Sequence, residues 1–358
     1  MTAQPLLQPV RLGALELPNR VVMAPMTRAR AHNADLAPTD LHATYYAQRA
    51  TAGLIVTEGT WVSPDAIGFI NVPGIYTDTQ TAGWAKVTEA VHEAGGRIVS
   101  QFGHVGAVSH PDHLDGRLPA GPSAVNPGEM SFTPSGPKDT LTPRAYTAAE
   151  IADTIADYRR AAENARRAGF DGVEIHAQMS HLIPQFLNPR LNQRTDAYGG
   201  SSEKRARFLL DVLDAVGDVW GSDRIGVKMS PAWTSGAAFT ADDDTLADYD
   251  QLLKNLNDTN LAYLHLLGTV EDRTTLFSRY RAHYQGNIIA NLAFTQTLGN
   301  DILDHGTADA VSFGTPFIAN PDLVDRFAQG HPLADDDHAT HYGGHTEGYT
   351  DYPAFAAG

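Results

Sequence analysis

Four polar residues stand where short apolar runs end, and their types can do chemistry together. Thr27 follows Arg20-Val21-Val22-Met23-Ala24, and Gln101 closes Arg97-Ile98-Val99-Ser100. His176 closes Gly172-Val173-Glu174-Ile175, and Lys228 sits near the end of Arg224-Ile225-Gly226-Val227-Lys228-Met229. A ring of Thr, Gln, His and Lys suits a planar heterocycle with carbonyls and ring nitrogens. An isolated histidine is more often a satisfied core or loop residue than a catalyst. The context of His176 reverses that: it ends a strand that follows the helix stop Ala168-Gly169. A long Asn-, Pro-, Arg- and Gly-rich segment then runs to Ser201, which opens a new helix. A strand that stops on a polar residue and then meanders is how an α/β barrel presents a catalytic group.

The elements that must position these residues recur along the chain. The further apolar runs are Leu54–Val56, followed by Gly59, and Leu261–Leu266. Asn287–Ala290 precedes Leu292-Ala293, and Ala308–Phe313 precedes Gly314-Thr315. Between the runs lie helical patterns. Residues 79–94 carry Trp84, Val87 and Val91 on one face. Thr147 with Glu150 forms a capping box ahead of the face Ile151, Ile155, Tyr158 and Ala162. In the helix after Ser201, Lys204 and Arg205 are expected to face solvent. Eight strand–helix units without a linker predict a (β/α)8 TIM barrel, one domain over residues 1–358, with all the strand-end residues on one face. The opening PVRLGALELPNR reads as an N-terminal hairpin plugging the bottom. From Phe102 to Tyr146 no periodicity lasts, so residues 102–146 are expected to be a long substrate loop after the third strand. An open doubly wound sheet would call for a glycine fingerprint, and neither GxGxxG nor a Walker A motif is present. The ends of strands seven and eight would face a phosphate.

Composition narrows the classes. The 358 residues include no cysteine, so disulfides, thiolate ligands and a cysteine nucleophile are excluded. A formal charge of −16 argues against nucleic acid and anionic membranes as partners. No apolar run reaches spanning length and no secretory signal pattern opens the chain, so a soluble, cytoplasmic protein is expected, as monomer or homodimer. The loose group His104, His110 and His113 reads as solvated loop rather than a metal site.

At these residues the chain resembles the old yellow enzyme family of FMN-dependent ene-reductases. The resemblance runs nearly the whole length. It includes NRVVMAPMTRAR at 19–30, SQFGHVGAVSHP at 100–111, GRLPAGPSAVNP at 116–127 and AGFDGVEIHAQMSHLIPQFLNPRLNQRTDAYGGSSEKRARF at 168–208. GVKMSP at 226–231, VSFGTPFIANPDLVDRF at 311–327 and HYGGHTEGYTDYP at 341–353 continue it.

The resemblance implies FMN as cofactor, NAD(P)H as hydride donor and a small-molecule substrate with an activated C=C bond. The flavin ring would lie against Pro25, Met26, Thr27, Gly59, Gln101 and Lys228. Thr27 would meet its C4 carbonyl and Gln101 its pyrimidine edge. The phosphate would lie at Leu292, Ala293, Gly314 and Thr315. His176 would donate to the substrate carbonyl oxygen, and Phe69, Gly103, Met179, His181 and Tyr342 would line the substrate pocket. A donor is needed at that oxygen because hydride arriving at the β-carbon builds enolate charge there. A second group must protonate the α-carbon.

Several positions depart from the family pattern. Met179 replaces an Asn or His donor, and His181 stands where the tyrosine acid is usual. Gly103 replaces a tryptophan, which is expected to enlarge the pocket, and Ala107 replaces an arginine. Lys228 replaces an arginine, keeping the cation but losing the fork. Thr315 replaces an arginine, a loss of about 1.5–3 kcal/mol at the phosphate, and Leu292 replaces a glycine. An ordinary histidine titrates near pH 6.5, so His181 is expected to act as the acid in place of tyrosine. Two other readings stand beside the reductase. One is a redox-neutral isomerase or cyclase with altered or lost flavin binding, and the other is a binding protein on the same scaffold.

Overall fold

The computed structural model describes residues 4–236 and 238–355. Among these, eight parallel strands close into a barrel in chain order. They are β1 (Val21–Met23), β2 (Leu54–Trp61), β3 (Ile98–Gly103), β4 (Gly172–Ala177), β5 (Ile225–Met229), β6 (Tyr263–Leu267), β7 (Ile288–Asn291) and β8 (Ala310–Phe313). β8 returns to β1 through Val311↔Val21. The expected (β/α)8 barrel is the observed one.

Strand alternation explains the closure. Val21, Ile55, Ile98, Leu264, Ile288 and Val311 belong to the cluster that includes the helix residues Trp84, Val87 and Leu209. Their neighbours Val22, Leu54, Val56, Val99, Tyr263, Ile289 and Ala310 form a separate inner cluster. A period of two thus buries both faces of a parallel sheet. The N-terminal hairpin pairs Val10–Leu12 with Leu15–Leu17. Its Leu12, Leu15 and Leu17 join the inner cluster and plug the barrel bottom. Gly13 turns it at φ +57°, where a Cβ would lie 2.2 Å from the Asp223 carbonyl oxygen.

The helices start where their caps place them. Thr147 Oγ1 accepts from the Glu150 amide at 3.2 Å and opens Ala148–Arg167. Arg205 departs from its expected exposure. It is 7% exposed, donates to the Leu187 carbonyl at 2.8 Å and pairs with Asp248 from the helix Asp243–Leu256. Its guanidinium ties two helices together instead of solvating one.

The segment after β3 holds more structure than its missing periodicity foretold. A hairpin pairs Met130–Thr133 with Gly136–Asp139, and Ala120–Gly121 pairs with Arg144–Ala145. Two of the three histidines here are withdrawn from solvent, and His113 is half-buried. His104 and His110 are buried, and His104 Nδ1 accepts from the Gly106 amide at 3.0 Å, locking the turn. β2 is also longer than Leu54–Val56. A register shift between Val56 and Gly59 carries it on to Trp61.

Candidate active site

The parity that fills the inner cluster also builds the site. Two residues further along from Val99, Gly172, Gly226, Tyr263, Ile289 and Ala310 stand Gln101, Glu174, Lys228, His265, Asn291 and Ser312. Glu174 and His265 are fully buried, with Oε2 2.8 Å from Nδ1. Gln101 donates to Glu174 Oε1 at 2.7 Å. His265 Nε2 lies 2.7 Å from Ser312 Oγ, and Lys228 Nζ lies 3.4 Å from the same nitrogen and 3.3 Å from Asn291 Oδ1. Burial pulls the Lys228 ammonium down to about 8, against the Glu174 charge. Burial pushes Glu174 up, but His265, Lys228 and Gln101 together hold it below the usual carboxylate range. This layer is a satisfied polar floor in low dielectric, where each partner matters more than in water.

Above the floor lies a cleft of about 1530 Å³. Pro25, Met26, Thr27, Gly59, Phe69, Gln101, Gly103, His176, Met179, His181, Gly314, Thr315 and Tyr342 all border it, so the fold brings these thirteen expected residues together. Lys228, Leu292 and Ala293 do not border it. Lys228 has the same parity as Gly226 and is drawn into the floor. Leu292 and Ala293 follow β7 with φ of +101° and +50°.

The cleft floor suits a flat ring. Gly59 and Gly314 leave bare backbone, and a Cβ on them would stand 3.6 Å from Gln101 Oε1 and Met26 Sδ respectively. His176 is 7% exposed and its buried Nδ1 has no partner among the described residues. Burial, then the neighbouring His181 and Lys228, holds its pKa well below the usual value, so the ring is neutral. His181 meets it edge to face, with ring centroids 3.8 Å apart. Burial lowers His181 to about 4, with the Gln178 carbonyl opposing. Met179 occupies a left-handed turn at φ +57° and is 40% exposed. The structure therefore sets His176 beside His181, with Met179 at the lip.

Two features escaped the sequence. Trp61 lies 3.4 Å from where a Gly103 Cβ would sit, so its indole fills space that Gly103 was expected to open. Its buried Nε1 has no partner among the described residues. The extra strand residues beyond the β2 bulge bring it there. Arg273, which begins the helix Arg273–His283, donates to the carbonyls of Leu292 and Ala293 at 3.2 and 3.0 Å. Its guanidinium lies 4.6 Å from the Phe294 ring centre. A cation clamping that turn gives no periodic signal. No three His, Asp or Glu side chains converge as a metal set among the described residues.

The fold and the sequence match a known group of barrels. A family described as NADH:flavin oxidoreductase / NADH oxidase matches residues 5–334. The chain belongs to that family. It is 39% identical over 365 residues to 12-oxophytodienoate reductase 1 of Oryza sativa subsp. japonica, covering 98% of this chain and 93% of that protein. Morphinone reductase, solved in complex with tetrahydroNAD, superposes with a TM-score of 0.92 at 45% identity, covering 98% of each chain. The old yellow enzyme homologue of Zymomonas mobilis gives 0.92 at 38% identity, covering 98% of this chain and 99% of that one. The resemblance to the old yellow enzymes holds, and relatives named as reductases do not favour the redox-neutral reading.

Proposed function

We propose that this flavin oxidoreductase is an FMN-dependent ene-reductase that draws hydride from NADH or NADPH and reduces the activated C=C bond of an unsaturated carbonyl compound. The observation that carries the reading is His176, neutral and unpartnered at Nδ1, standing over a satisfied polar floor at the strand ends. When bound, FMN supplies the hydride transfer between the nicotinamide donor and the alkene. Thr27, Gln101 and the backbone at Pro25, Met26 and Gly59 hold the ring. Lys228 supplies positive charge from below, and Gly314, Thr315, Leu292 and Ala293 hold the phosphate. His176 donates a ring N–H to the carbonyl oxygen as enolate charge builds there. His181 packs against His176 with its one neutral-form N–H, on Nδ1, turned to the Gln178 carbonyl, so it positions His176 rather than donating to the substrate, and the α-carbon proton comes from solvent. Phe69, Gly103, Met179 and Tyr342 shape the substrate space. Among the described residues, no helix is long and apolar enough to cross a membrane. We read the protein as cytoplasmic, acting on small molecules as monomer or homodimer.

The test is anaerobic spectroscopy of the purified protein. A flavin spectrum bleached by NADH or NADPH and restored by 2-cyclohexenone, with cyclohexanone formed, is the expected result. A colourless protein that takes up no FMN at hundreds of micromolar overturns the reading.

A further inference from the structure

Glu58 is a buried carboxylate with no part in the proposed chemistry. It stands in the β2 bulge between Val56 and Gly59 and is 1% exposed. Its amide donates to Tyr46 Oη at 2.9 Å, which fixes its backbone. Its Oε2 accepts from the amides of Arg28 and Ala29 at 3.1 and 3.2 Å. These two residues directly follow Thr27. Ala29 holds φ +53°, a left-handed turn that costs an alanine and persists only where its surroundings impose it. A carboxylate that accepts two backbone amides makes charge-assisted bonds and supplies that hold.

Arg28 carries the hold further. Its carbonyl accepts from the Gly343 amide at 2.9 Å, and its Nε donates to the His341 carbonyl at 2.9 Å. The two bonds grip the chain on either side of Tyr342, which borders the cleft. Thr27, the neighbour of Arg28 in sequence, borders the same cleft. One residue therefore sets both the Thr27 loop and the lip, and Glu58 sets that residue.

The charged and titratable groups facing Glu58 are Arg28, Arg30, His42, Tyr46 and Tyr349. The guanidiniums stay charged. Burial, then Arg30 and His32, lowers His42 to about 4. Its Nδ1 accepts from the Thr39 amide at 3.1 Å, so the neutral ring keeps its proton on Nε2, 3.9 Å from Glu58 Oε1. Burial raises the phenols of Tyr46 and Tyr349 well above their usual value. Burial also raises Glu58 to about 7, against the two amides and the charges of Arg28 and Arg30. Within this cluster Glu58 is thus the group whose charge changes near neutral pH.

Resting on the ene-reductase reading, we propose that Glu58 is a positioning residue: its carboxylate holds the Arg28–Ala29 turn and, through Arg28, sets Thr27 against the flavin and Tyr342 against the substrate as one unit. Protonation loosens both together, because a neutral acid accepts more weakly than a carboxylate.

The experiment titrates apo-protein with FMN, followed by flavin fluorescence, in the parent and in Glu58→Gln at about pH 6 and about pH 8. The amide keeps an acceptor of nearly the same shape without the charge. At the higher pH the variant should bind FMN about tenfold more weakly, the size of one charge-assisted bond. At the lower pH the parent carboxyl is itself mostly protonated, so the gap should close to about twofold. Ionisation of the FMN phosphate and of Lys228 is common to both proteins and cancels in the ratio. With FMN saturating, the KM for 2-cyclohexenone should also rise in the variant at the higher pH, because Tyr342 shifts with Arg28. A purely structural role would lower the folded fraction and leave both constants of that fraction alone. A gap of equal size at the two pH values, no gap, or a change in only one of the two constants overturns the inference. If Glu58→Gln does not fold, the same comparison is made in an Ala29→Gly background, where glycine relieves the left-handed turn. A parent that takes up no FMN, or does not turn over 2-cyclohexenone, removes the reductase reading and the inference with it, and that failure shows in the parent alone.

Discussion

The floor of the cleft and the rim proposed to hold a phosphate are built in opposite ways. At the floor, Gln101, Glu174, Lys228, His265, Asn291 and Ser312 come from six consecutive strands and satisfy one another within 2.7–3.4 Å. At the rim, Leu292 and Ala293 hold left-handed backbone, and Thr315 is exposed. The floor is over-determined by strand parity, so a substitution such as lysine for arginine is absorbed into the network. The rim depends on loop backbone, where a change of residue type leaves the required conformation in place at a cost. Leu292 shows this plainly: a branched side chain sits at φ +101°, a backbone region that favours glycine. Arg273 holds the two carbonyls of that turn.

If the floor is the rigid half, breaking it should cost most. Lys228→Met removes the cation that acts on the buried Glu174 charge and the donor to Asn291, and leaving such buried polar groups without a partner costs about 1–3 kcal/mol. Urea unfolding of the apo-protein should show that loss, while Thr315→Val at the rim should stay within about 0.5 kcal/mol. Similar losses in both variants would erase the distinction. In catalysis, His176→Ala should slow flavin reoxidation by 2-cyclohexenone on the order of 10²–10³-fold, the usual cost of one oxyanion donor. Met179→Asn, which returns a donor to the lip, should speed the parent with the same enone. Unchanged reoxidation in His176→Ala would place the substrate carbonyl elsewhere.

The same contrast explains what the sequence revealed. Parity made Gln101 and His176 legible, because strand ends in a barrel converge whatever their spacing. It also places Lys228, which shares its parity with Gly226 and therefore points into the floor. Trp61 was hidden by a bulge, which breaks the pattern by which strand length is read. Arg273 was hidden because the turn it clamps carries no period. Arg205 looked like a surface residue because an arginine in a helix usually is, and only the neighbouring helix explains its burial. The titration of His181 was illegible for the same reason, since burial belongs to the fold and not to the residue type.

The rim predictions are smaller and sharpen the other side. Thr315→Arg should tighten FMN binding by about one to two powers of ten, because a guanidinium forks onto phosphate. Titration of apo-protein followed by flavin fluorescence reads this, and no change would mean that the phosphate lies away from Thr315. Leu292→Gly should stabilise the protein by about 1 kcal/mol. Relief of left-handed strain, of order 1–3 kcal/mol, exceeds the entropy that glycine adds to the unfolded chain, about 0.5–1 kcal/mol. A thermal midpoint that falls in this variant would show that the leucine side chain contributes more by packing than its backbone loses by strain.

The smallest expected effect is an absence of pH dependence. Burial lowers His181 to about 4, opposed by the Gln178 carbonyl, and the sign of that shift decides its role. A histidine with a lowered folded pKa is charged only below that value, so across about pH 6–8 it is neutral and its one N–H, on Nδ1, is turned to the Gln178 carbonyl. An acid of ordinary pKa near 6.5 would instead make reoxidation fall about tenfold per pH unit above that point. The expected profile over this range is flat in the parent. His181→Tyr should also be flat, since a phenol stays protonated until about pH 10. His181→Phe separates positioning from acid: a uniform loss at every pH means that His181 acts by holding His176 through its tie to Gln178. A parent profile that falls through pH 6.5, abolished in His181→Phe, would make His181 the proton source. The floor's low dielectric would then not extend to the lip.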